Sequence, residues 1–377
     1  MMKKINGFER FQRQVILKGF GEAGQFKLQE SRVLVVGAGG LGCPALQYLA
    51  AAGVGMIVIA DGDKVSASNL HRQVLYTMAD VGRLKVDIAA ERTHALNPDA
   101  HIDIHPHRLD QKNVLSVIKE VDIILDCTDN FTSRYMLNDA CVLTDKPLVH
   151  GSVSRFEGQV GLFNVMMPDG RRSGHYRDLF PTPPMAGEVQ DCSESGVLGV
   201  LPGIIGCLQA MEAIKWIAGI GDLLVDRLLT YDALHNHFME LTYEHREDTR
   251  RFHPEHEQAF LDTDYALSCG VGGDGRIISS AQFRELMKRG DIQVIDVREP
   301  NEVPSLEGRG HIRIPLGQLP ALLYTLSPSP MVFFCQSGIR SLAAAKMASA
   351  HFGEHVPVYS LQDGIGYFLQ NDQIMTI

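Results

Sequence analysis

Short apolar runs alternate with a helical pattern along the first half of this chain. The runs RVLVVG (32–37), MIVIAD (56–61) and VDIILDC (121–127) predict buried strands, and PLVH (147–150) predicts the start of another. An alanine-rich stretch at 40–53 predicts a helix between the first two runs. Strands that alternate with helices indicate a parallel sheet that is covered by helices on both faces.

The pattern changes after residue 158. QVGLFNV (159–165) predicts a strand, and 204–218 predicts a helix with a broad apolar face. Between them, residues 168–187 are rich in glycine and proline, which predicts an exposed loop or lid. The apolar helix is buried either inside the fold or across a dimer interface, and its periodicity does not distinguish the two.

At 377 residues the chain is long for a single hydrophobic core. Residues 244–274 are charged and histidine-rich and then glycine-rich, which indicates a linker. Beyond it, QVIDV (293–297) and MVFFC (331–335) predict strands of a second, smaller α/β unit. We therefore expect a first domain at 1–245, a linker at 246–272 and a second domain at 273–377.

Composition disfavours several classes of protein. The net charge of −10 disfavours nucleic acid as a partner, and no apolar stretch is long enough to cross a bilayer. The N-terminal segment lacks the apolar run of a secretory signal. The seven cysteines are odd in number and form no CxxC pair, which fits a reducing compartment. We expect a cytoplasmic protein that binds neither nucleic acid nor a membrane.

GAGGLG (37–42) follows the first predicted strand and precedes the first predicted helix, and its glycines are Gly37, Gly39, Gly40 and Gly42. Backbone N–H groups of such a loop approach phosphate oxygens, and the N-terminus of the helix adds a favourable dipole. Asp61 ends the second run, where its carboxylate can accept hydrogen bonds from a ribose. On this motif alone, a nicotinamide-dependent dehydrogenase is the first interpretation.

The residues that follow favour a triphosphate instead. DGDKVSASNLHRQ (61–73) brings Arg72 to the carboxyl edge of the predicted sheet, Lys85 follows in GRLKV, and Asp129 follows the third run. Two cations beside a carboxylate suit a triphosphate and its magnesium ion, whereas a nicotinamide site needs no such positive charge. The chain has no GxxxxGK[ST] motif, so it is not a P-loop ATPase.

The ordered motifs RFQRQ (10–14), GAGGLG, SNLHRQ (68–73), GRLKV and CTDN (127–130) resemble the MoeB/ThiF family of ubiquitin-activating-like adenylyltransferases, from about residue 8 to 245. The resemblance implies an α/β fold with a Rossmann-like ATP-binding adenylation domain, and a homodimer. It also implies a set of residues that contact ATP or its Mg²⁺: Gly40, Asp61, Ser68, Asn69, Arg72, Gln73, Lys85, Asp129 and Asn130.

The same resemblance implies the reaction. The C-terminal glycine carboxylate of a ubiquitin-like sulfur-carrier protein ending in Gly-Gly attacks the α-phosphorus of ATP. Arg13 reaches across the homodimer to the phosphates of the neighbouring site, and Arg72 and Lys85 neutralise phosphate charge. Asp129 binds the Mg²⁺ that ATP carries; alternatively it caps the helix that follows. Catalysis then comes from positioning and charge neutralisation.

After residue 272, DVREP (296–300), GHI (310–312) and CQSGIRS (335–341) resemble a rhodanese domain. Its loop is formed by Cys335, Gln336, Ser337, Gly338, Ile339 and Arg340. Loop amides and a helix dipole stabilise a thiolate or persulfide there, and the arginine adds positive charge. The segment from GHI to IPL (310–316) is shorter than in most rhodaneses.

The two domains together resemble the MoeZ/MoeBR type of adenylyltransferase/sulfurtransferase. The resemblance implies that Cys335 takes sulfur from a donor such as a cysteine desulfurase and passes it to the activated carrier, for molybdopterin, thiamine or a related product. Cys192 occupies the position of a family cysteine that is linked to the carrier; we predict either a catalytic role or a bystander thiol.

Family members usually hold structural zinc with two CxxC pairs. Both pairs are absent here, so we expect no zinc. An alternative set of nitrogen and oxygen donors is His175, Asp178, His253 and His256.

Two other functions remain open. An NAD-dependent oxidoreductase would use the glycine motif for a nicotinamide cofactor. A non-catalytic binder of a ubiquitin-like protein would bind ATP without exchanging pyrophosphate, although Arg72, Lys85 and Asp129 favour catalysis.

Overall fold

The structure is a computed structural model of the chain. It describes residues 9–183, 196–263, 265, 276–289, 292–303, 310–353, 356–362 and 364–372. The chain divides into two compact units: the first contains the described residues up to Thr182 and from 196 to Thr263, and the second contains Pro183 and the described residues from 265 onward. Each unit is described separately.

The first unit is built on one eight-stranded sheet. Its strands are β1 (Arg32–Val36), β2 (Met56–Ala60), β3 (His101–His105), β4 (Ile123–Asp126), β5 (Leu148–Ser154), β6 (Glu157–Phe163), β7 (Arg227–Asp232) and β8 (His237–Thr242). They are arranged in the order β3-β2-β1-β4-β5-β6-β7-β8. The first five are parallel, and β6 to β8 add an antiparallel extension.

Helices pack around this sheet. They are α1 (Gln12–Val15), α2 (Gly21–Glu30), α3 (Gly42–Ala52), α4 (Lys85–Leu96), α5 (Val114–Lys119), α6 (Phe131–Leu143), α7 (Tyr176–Leu179), α8 (Val200–Ala218) and α9 (Glu257–Asp262). Short 3₁₀ turns lie at Glu9–Phe11, Ala67–Asn69, Met78–Asp80 and Glu247–Phe252.

The sheet has a switch point between β1 and β4. The chain runs outward from β1 through β2 to β3 on one side and continues from β4 to β5 on the other. Where the strand order reverses in this way, the carboxyl ends of the two central strands leave a crevice in which parallel α/β sheets bind ligands. The glycine motif follows β1, and Thr128-Asp129-Asn130 follows β4, so both reach this crevice.

Helix α8 is a core helix of the first unit. It packs on α3, β5 and β6 and buries Leu201, Ile205 and Ala213. Its buried Gln209 donates from Nε2 to the carbonyls of Asp126 (2.7 Å) and Val149 (3.3 Å), and so joins the carboxyl end of β4 to the first residues of β5. Among the described residues α8 alone is long and apolar enough to span a membrane, but half of it is buried by the fold.

The prediction of an exposed loop at 168–187 is wrong for the central part of that segment. Residues 173–178 are buried, and 176–179 form α7. Arg177 makes a two-bond ion pair with the buried carboxylate of Asp139 (2.7 Å for each bond), and the amide of Tyr176 donates to Asn138 (2.8 Å). Pairing with partners on α6 allows this polar segment to be buried.

The start of the predicted linker is folded onto the first unit. Thr249 is buried and donates to Asp178 (2.6 Å), Phe260 is fully buried, and Lys119 pairs with Glu257 (3.2 Å). The first compact unit thus extends to Thr263, beyond the predicted boundary at 245.

The second unit has a five-stranded parallel sheet. Its strands are β9 (Arg276–Ile278), β10 (Gln293–Asp296), β11 (Ile312–Arg313), β12 (Met331–Phe334) and β13 (Val358–Leu361), in the order β11-β10-β12-β13-β9. The helices are α10 (Ser280–Arg289), α11 (Leu319–Leu322), α12 (Ile339–Phe352) and α13 (Gly364–Asp372), with 3₁₀ turns at Leu316–Gln318 and Leu323–Thr325.

Both faces of this sheet are covered by apolar side chains. Ile295 and Phe333 face one core, whereas Val294, Val332 and Phe334 face the other. The short GHI–IPL segment still supplies the edge strand β11. The predicted fold class, an α/β sheet domain followed by a smaller α/β domain, is confirmed.

Candidate nucleotide and sulfur-transfer sites

The glycine motif forms a turn that side chains could not occupy. Gly37 has φ of 96°, and a Cβ there would lie 2.6 Å from the carbonyl oxygen of Cys127. A Cβ at Gly42 would lie 2.0 Å from the carbonyl oxygen of Gly37, so the start of α3 packs directly on the loop. No side chain caps α3, but the amide of Cys43 donates to the carbonyl of Gly39 (2.9 Å), and Pro44 has no amide N–H. The N-terminus of α3 therefore contributes its dipole to this site and not a row of free amides.

A pocket that is open to solvent lies above this turn. Nine predicted residues line it: Gly37, Gly39, Gly40, Asp61, Arg72, Gln73, Lys85, Asp129 and Asn130. Four do not: Arg13, Gly42, Ser68 and Asn69.

Asp61 fastens the glycine turn to the loop after β2. One carboxylate oxygen accepts the amide of Ala38 (2.8 Å) and the other accepts the amide of Asp63 (2.7 Å). Each oxygen retains a second lone pair that could accept a ribose hydroxyl. Burial raises the pKa of Asp61, an effect that the charge of Lys85 opposes.

The positive charge in the pocket comes from three side chains. Lys85 is buried and its Nζ lies 3.1 Å from Oδ2 of Asp63, and the exposed Arg108 lies 3.2 Å from Oδ1 of the same carboxylate. Burial raises the pKa of Asp63, but Lys85 and Arg108 outweigh it, and the net shift is downward. Arg72 donates to Asn69 Oδ1 (3.0 Å), which also accepts from Gln73 (3.3 Å).

Asn69 and Ser68 therefore act behind the pocket wall. The Asn69 side chain orients Arg72 and Gln73, and the carbonyl of Ser68 accepts a long bond from Arg72 (3.4 Å). Sequence reasoning grouped all four as direct contacts because spacing within a loop does not reveal which side chains face outward.

Asp129 and Asp126 have opposite environments at the end of β4. Asp126 is fully buried, accepts two hydrogen bonds from Thr128 (3.0 and 2.6 Å), and lies 3.3 Å from His150 Nδ1. Asp129 is exposed at the pocket wall, and its described bond is a weak one from Asn130 Nδ2 (3.4 Å). It is Asn130, not Asp129, that caps α6, by accepting the amide of Ser133 (2.8 Å). The carboxylate of Asp129 is thus available for a cation.

Several pocket residues escaped the sequence analysis. Asp63 and Arg108 carry charge into it, and Pro202 of α8 packs on Gly40, where a Cβ would lie 2.9 Å away. Arg108 follows β3, so its position was predictable from the rule for parallel strands. Pro202 is more than 150 residues from the glycine motif and carries no local signal.

The second site surrounds Cys335 at the end of β12. Its Sγ is buried and accepts the amide N–H of Gly338 (3.1 Å), and it lies 3.6 Å from the hydroxyl of Ser341. Gly338 has φ of 93°, and a Cβ there would lie 1.9 Å from the carbonyl oxygen of Gln362. The loop thus turns tightly around sulfur, and α12 begins directly after it. This geometry suits a thiolate or persulfide anion.

Two arginines flank this loop, and both are matched by carboxylates. The fully buried Arg298 makes two bonds to Asp296 (2.9 Å each) and a third to Gln336 Oε1 (3.2 Å). Arg340 makes a two-bond ion pair with Glu302 (2.6 and 2.7 Å). The sequence prediction assigned the charge of Arg340 to the sulfur and did not foresee this partner.

A third cluster gathers histidines around α7. One ligand atom each from His175, Asp178 and His245 lies within 4.8 Å of the others. The ring of His253 packs edge-on against His175, with centroids 5.3 Å apart. His256 lies elsewhere and caps α9 by accepting the amide of Ala259 (3.1 Å).

His175 is buried, and within the described part of the chain neither of its ring nitrogens has a hydrogen-bond partner. An unpartnered buried polar atom costs about 1–3 kcal/mol. Burial lowers the pKa of His175 to about 4, so the ring is neutral and can offer a lone pair. The donor set of imidazole and carboxylate fits a divalent cation such as zinc.

Cys192, for which the sequence left a catalytic role open, lies outside the described residues.

Comparisons with known proteins assign a family to each of the two parts of the chain. The ThiF family model matches residues 11–251, and the rhodanese-like domain model matches 279–371. The chain is 41% identical to the probable adenylyltransferase/sulfurtransferase MoeZ of Mycobacterium tuberculosis, over 97% of this chain and 94% of that protein. It is 46% identical to the sulfur carrier protein adenylyltransferase of Thermus thermophilus, over 70% of this chain and 97% of that protein.

Solved structures share the fold of the first unit. The crystal structure of Escherichia coli MccB with MccA-N7isoASN covers 64% of this chain and 73% of its own, with a TM-score of 0.56 and 21% identity. The structure of MccB with ATP has a TM-score of 0.54 and 20% identity, over 64% and 75% of the two chains. On the family match and the full-length likeness, this chain belongs to the ThiF family, in its two-domain form with a C-terminal rhodanese-like domain.

Proposed function

We propose that the first unit adenylates the C-terminal glycine of a ubiquitin-like sulfur-carrier protein with ATP, and that the second unit supplies sulfur to the activated carboxylate. The observation that carries the proposal is the pocket in which Arg72, Lys85 and Asp129 converge above the glycine turn. Relatives named sulfur carrier protein adenylyltransferase and adenylyltransferase/sulfurtransferase support it.

The triphosphate would lie across the glycine turn, with its oxygens near the backbone of that turn and the N-terminus of α3. Lys85 is held by Asp63 in this structure, so binding ATP exchanges a carboxylate partner for phosphate oxygens. Arg72 is already oriented by Asn69 and loses little freedom on binding. Asp61 would accept the ribose hydroxyls, and Asp129 would hold the Mg²⁺, which neutralises charge on the leaving pyrophosphate.

The carboxylate of the carrier then attacks the α-phosphorus, and pyrophosphate leaves with the bonding electrons. The product is an acyl-adenylate, in which AMP is a good leaving group. In this proposal the terminal sulfur of a persulfide on Cys335 attacks the acyl carbon and AMP departs. The Gly338 amide and the α12 N-terminus stabilise the sulfur anion between these steps.

Arg13 is exposed on α1 and outside its own pocket, which agrees with a role in the pocket of a second copy. We therefore propose a homodimer, a cytoplasmic location and a cysteine persulfide donor of the desulfurase class. In place of the expectation that no zinc is bound, we propose that His175, Asp178 and His245 hold a divalent cation that links α7 to the chain after β8. Such an ion would be structural, since the cluster contains no residue of the nucleotide pocket.

An ATP–pyrophosphate exchange panel tests the adenylation. Candidate carriers ending in Gly-Gly are assayed with the full chain, and exchange should require one of them and its terminal glycine. If ATP binds but no carrier in a broad panel supports pyrophosphate exchange, the result would favour a non-catalytic binder. Absorbance changes of a nicotinamide cofactor would support the oxidoreductase alternative instead.

A further inference from the structure

The cation of the sulfur-transfer loop is already bound to a carboxylate. Both terminal nitrogens of Arg340 donate to Glu302, whose side chain is 28% exposed beside an arginine that is 16% exposed. Glu302 is itself held in place, since its Oε1 also accepts the amide of Glu299 (2.8 Å). The hydrogen bonds from Arg340 keep the pKa of Glu302 below its usual value, so it is charged near neutral pH.

Arg298, the other arginine beside the loop, cannot substitute for Arg340. Its guanidinium is fully buried, and its bonds to Asp296 and Gln336 use Nε and both terminal nitrogens. A small anion that approaches Cys335 therefore finds Arg340, which belongs to the same loop, already paired to Glu302. Charge-assisted two-bond pairs of this kind are strong and directional, so an incoming anion must displace the carboxylate first.

We propose that Glu302 is a specificity-determining residue of the sulfur-transfer site. By holding Arg340, it disfavours small dianionic donors such as thiosulfate and leaves Cys335 to persulfide donors. This inference rests on the proposed sulfur transfer and specifies its donor class.

The two donors deliver the same sulfur with different charge. With thiosulfate, the Cys335 thiolate attacks the outer sulfur, the S–S bond breaks, and sulfite leaves as a dianion with the electron pair. With cysteine persulfide, the thiolate attacks the terminal sulfur, and cysteine leaves as its thiolate. The body of cysteine carries one ammonium and one carboxylate, which cancel. Thiosulfate therefore brings more negative charge to the loop and depends more strongly on a free cation there.

The test compares Glu302→Gln with the wild-type full chain on both donors, with cyanide as the common acceptor and thiocyanate as the readout. Glutamine keeps the shape but removes the charge, which frees Arg340 for an anion. We expect kcat/KM for thiosulfate to rise about tenfold or more, while the value for cysteine persulfide changes less than twofold. The gain should shrink at high salt, because screening weakens the attraction between Arg340 and the dianion.

Three further variants isolate the charge. Glu302→Asp keeps the carboxylate and should retain most of the discrimination against thiosulfate. Glu299→Gln removes an exposed charge from the same segment and should leave both rates unchanged. In Glu302→Gln/Arg340→Gln the gain should disappear, since the freed cation is missing.

Two outcomes would overturn the inference and are distinguishable from failure of the proposed function. Persulfide transfer that stays intact while thiosulfate shows no gain in Glu302→Gln would refute the role of Glu302. An equal rise with both donors would show a general effect on the thiol. If Cys335 gains no sulfur from either donor by intact mass, the sulfur-transfer function itself fails, independently of Glu302.

Discussion

The contrast between Asp129 and Asp126 provides a sharp test of the nucleotide site. The two carboxylates lie three residues apart at the end of β4, and each can be replaced by asparagine with almost no change in shape. Asp129 is exposed and makes one weak described hydrogen bond, so Asp129→Asn should change the free energy of unfolding by no more than about 0.5 kcal/mol.

Asp126 should behave in the opposite way. It is buried, accepts two bonds from Thr128 and faces His150 and Arg134 (3.7 Å). Removing one member of a buried charged cluster costs about 3–5 kcal/mol, because the remaining charge is left uncompensated. Asp126→Asn should therefore be strongly destabilised.

Asp129→Asn should lose catalytic activity although it keeps its stability. Loss of a group that fixes transition-state charge typically costs about 10²–10³-fold in rate, and we expect this loss of carrier-dependent ATP–pyrophosphate exchange in Asp129→Asn. Exchange is measured across a magnesium titration. Unfolding in urea is followed by the fluorescence of Trp216, the only tryptophan of the chain, which lies on α8 of the first unit.

The reasoning fails if Asp129→Asn retains more than a tenth of wild-type exchange with the same magnesium dependence. It also fails if that variant is as unstable as Asp126→Asn, since the loss of activity would then reflect unfolding.

Three other predictions concern the dimer, pH and metal. Arg13→Ala and Asp129→Asn should each abolish ATP–pyrophosphate exchange when only one variant is present. A mixed dimer of the two variants should regain exchange at one of its two sites. If it regains none, Arg13 does not act in the neighbouring site. Burial and the charge of Arg134 lower the pKa of His150 from 6.5. Below that pH the unfolded chain therefore binds more protons than the folded chain, and the free energy of unfolding should fall on acidification. For this one group the fall is at most about 1.4 kcal/mol per pH unit. His150→Gln should flatten that profile in Trp216-monitored unfolding, and an unchanged slope would assign it to other groups. His175→Ala should lose a tightly bound divalent metal that His256→Ala keeps, as measured by elemental analysis, and equal metal content in both would refute the cluster.

The parallel half of the first sheet was predictable because its strands are continuous apolar runs between glycine signals. The edge strand β3, HIDIH, was missed because it is not a continuous apolar run: it has two apolar residues, and none of its five residues is fully buried. Missing β3 also hid Arg108, which follows it into the pocket. In the second unit, β10 and β12 were predicted because each is a short apolar run that is buried in the fold. The cysteine loop was predicted because its glycine and arginine follow Cys335 at a recognisable spacing.

Partners brought together by tertiary structure were not predictable. The sequence suggested His253 and His256 as donors beside His175 and Asp178, whereas the structure brings in His245. It does so because Asp178 holds the chain after β8 by accepting the amide of Arg246 (3.2 Å) and the Thr249 hydroxyl. Likewise the pairing of Glu302 with Arg340 joins residues 38 positions apart. Neither the hydrophobic periodicity nor a sequence motif indicates such a contact.

Gln209 has a consequence for how this enzyme tolerates variation. One amide group on α8 joins β4 to β5, and Gly151 leaves it no slack, since a Cβ there would lie 2.3 Å from its Cδ. The segment that presents Asp129 is therefore aligned by a side chain that never meets the nucleotide. A shorter residue at 209 would let the end of β4 move away from β5 and misplace Asp129. Inherited or engineered defects in adenylation can thus arise at a position that inspection of the pocket alone would call neutral.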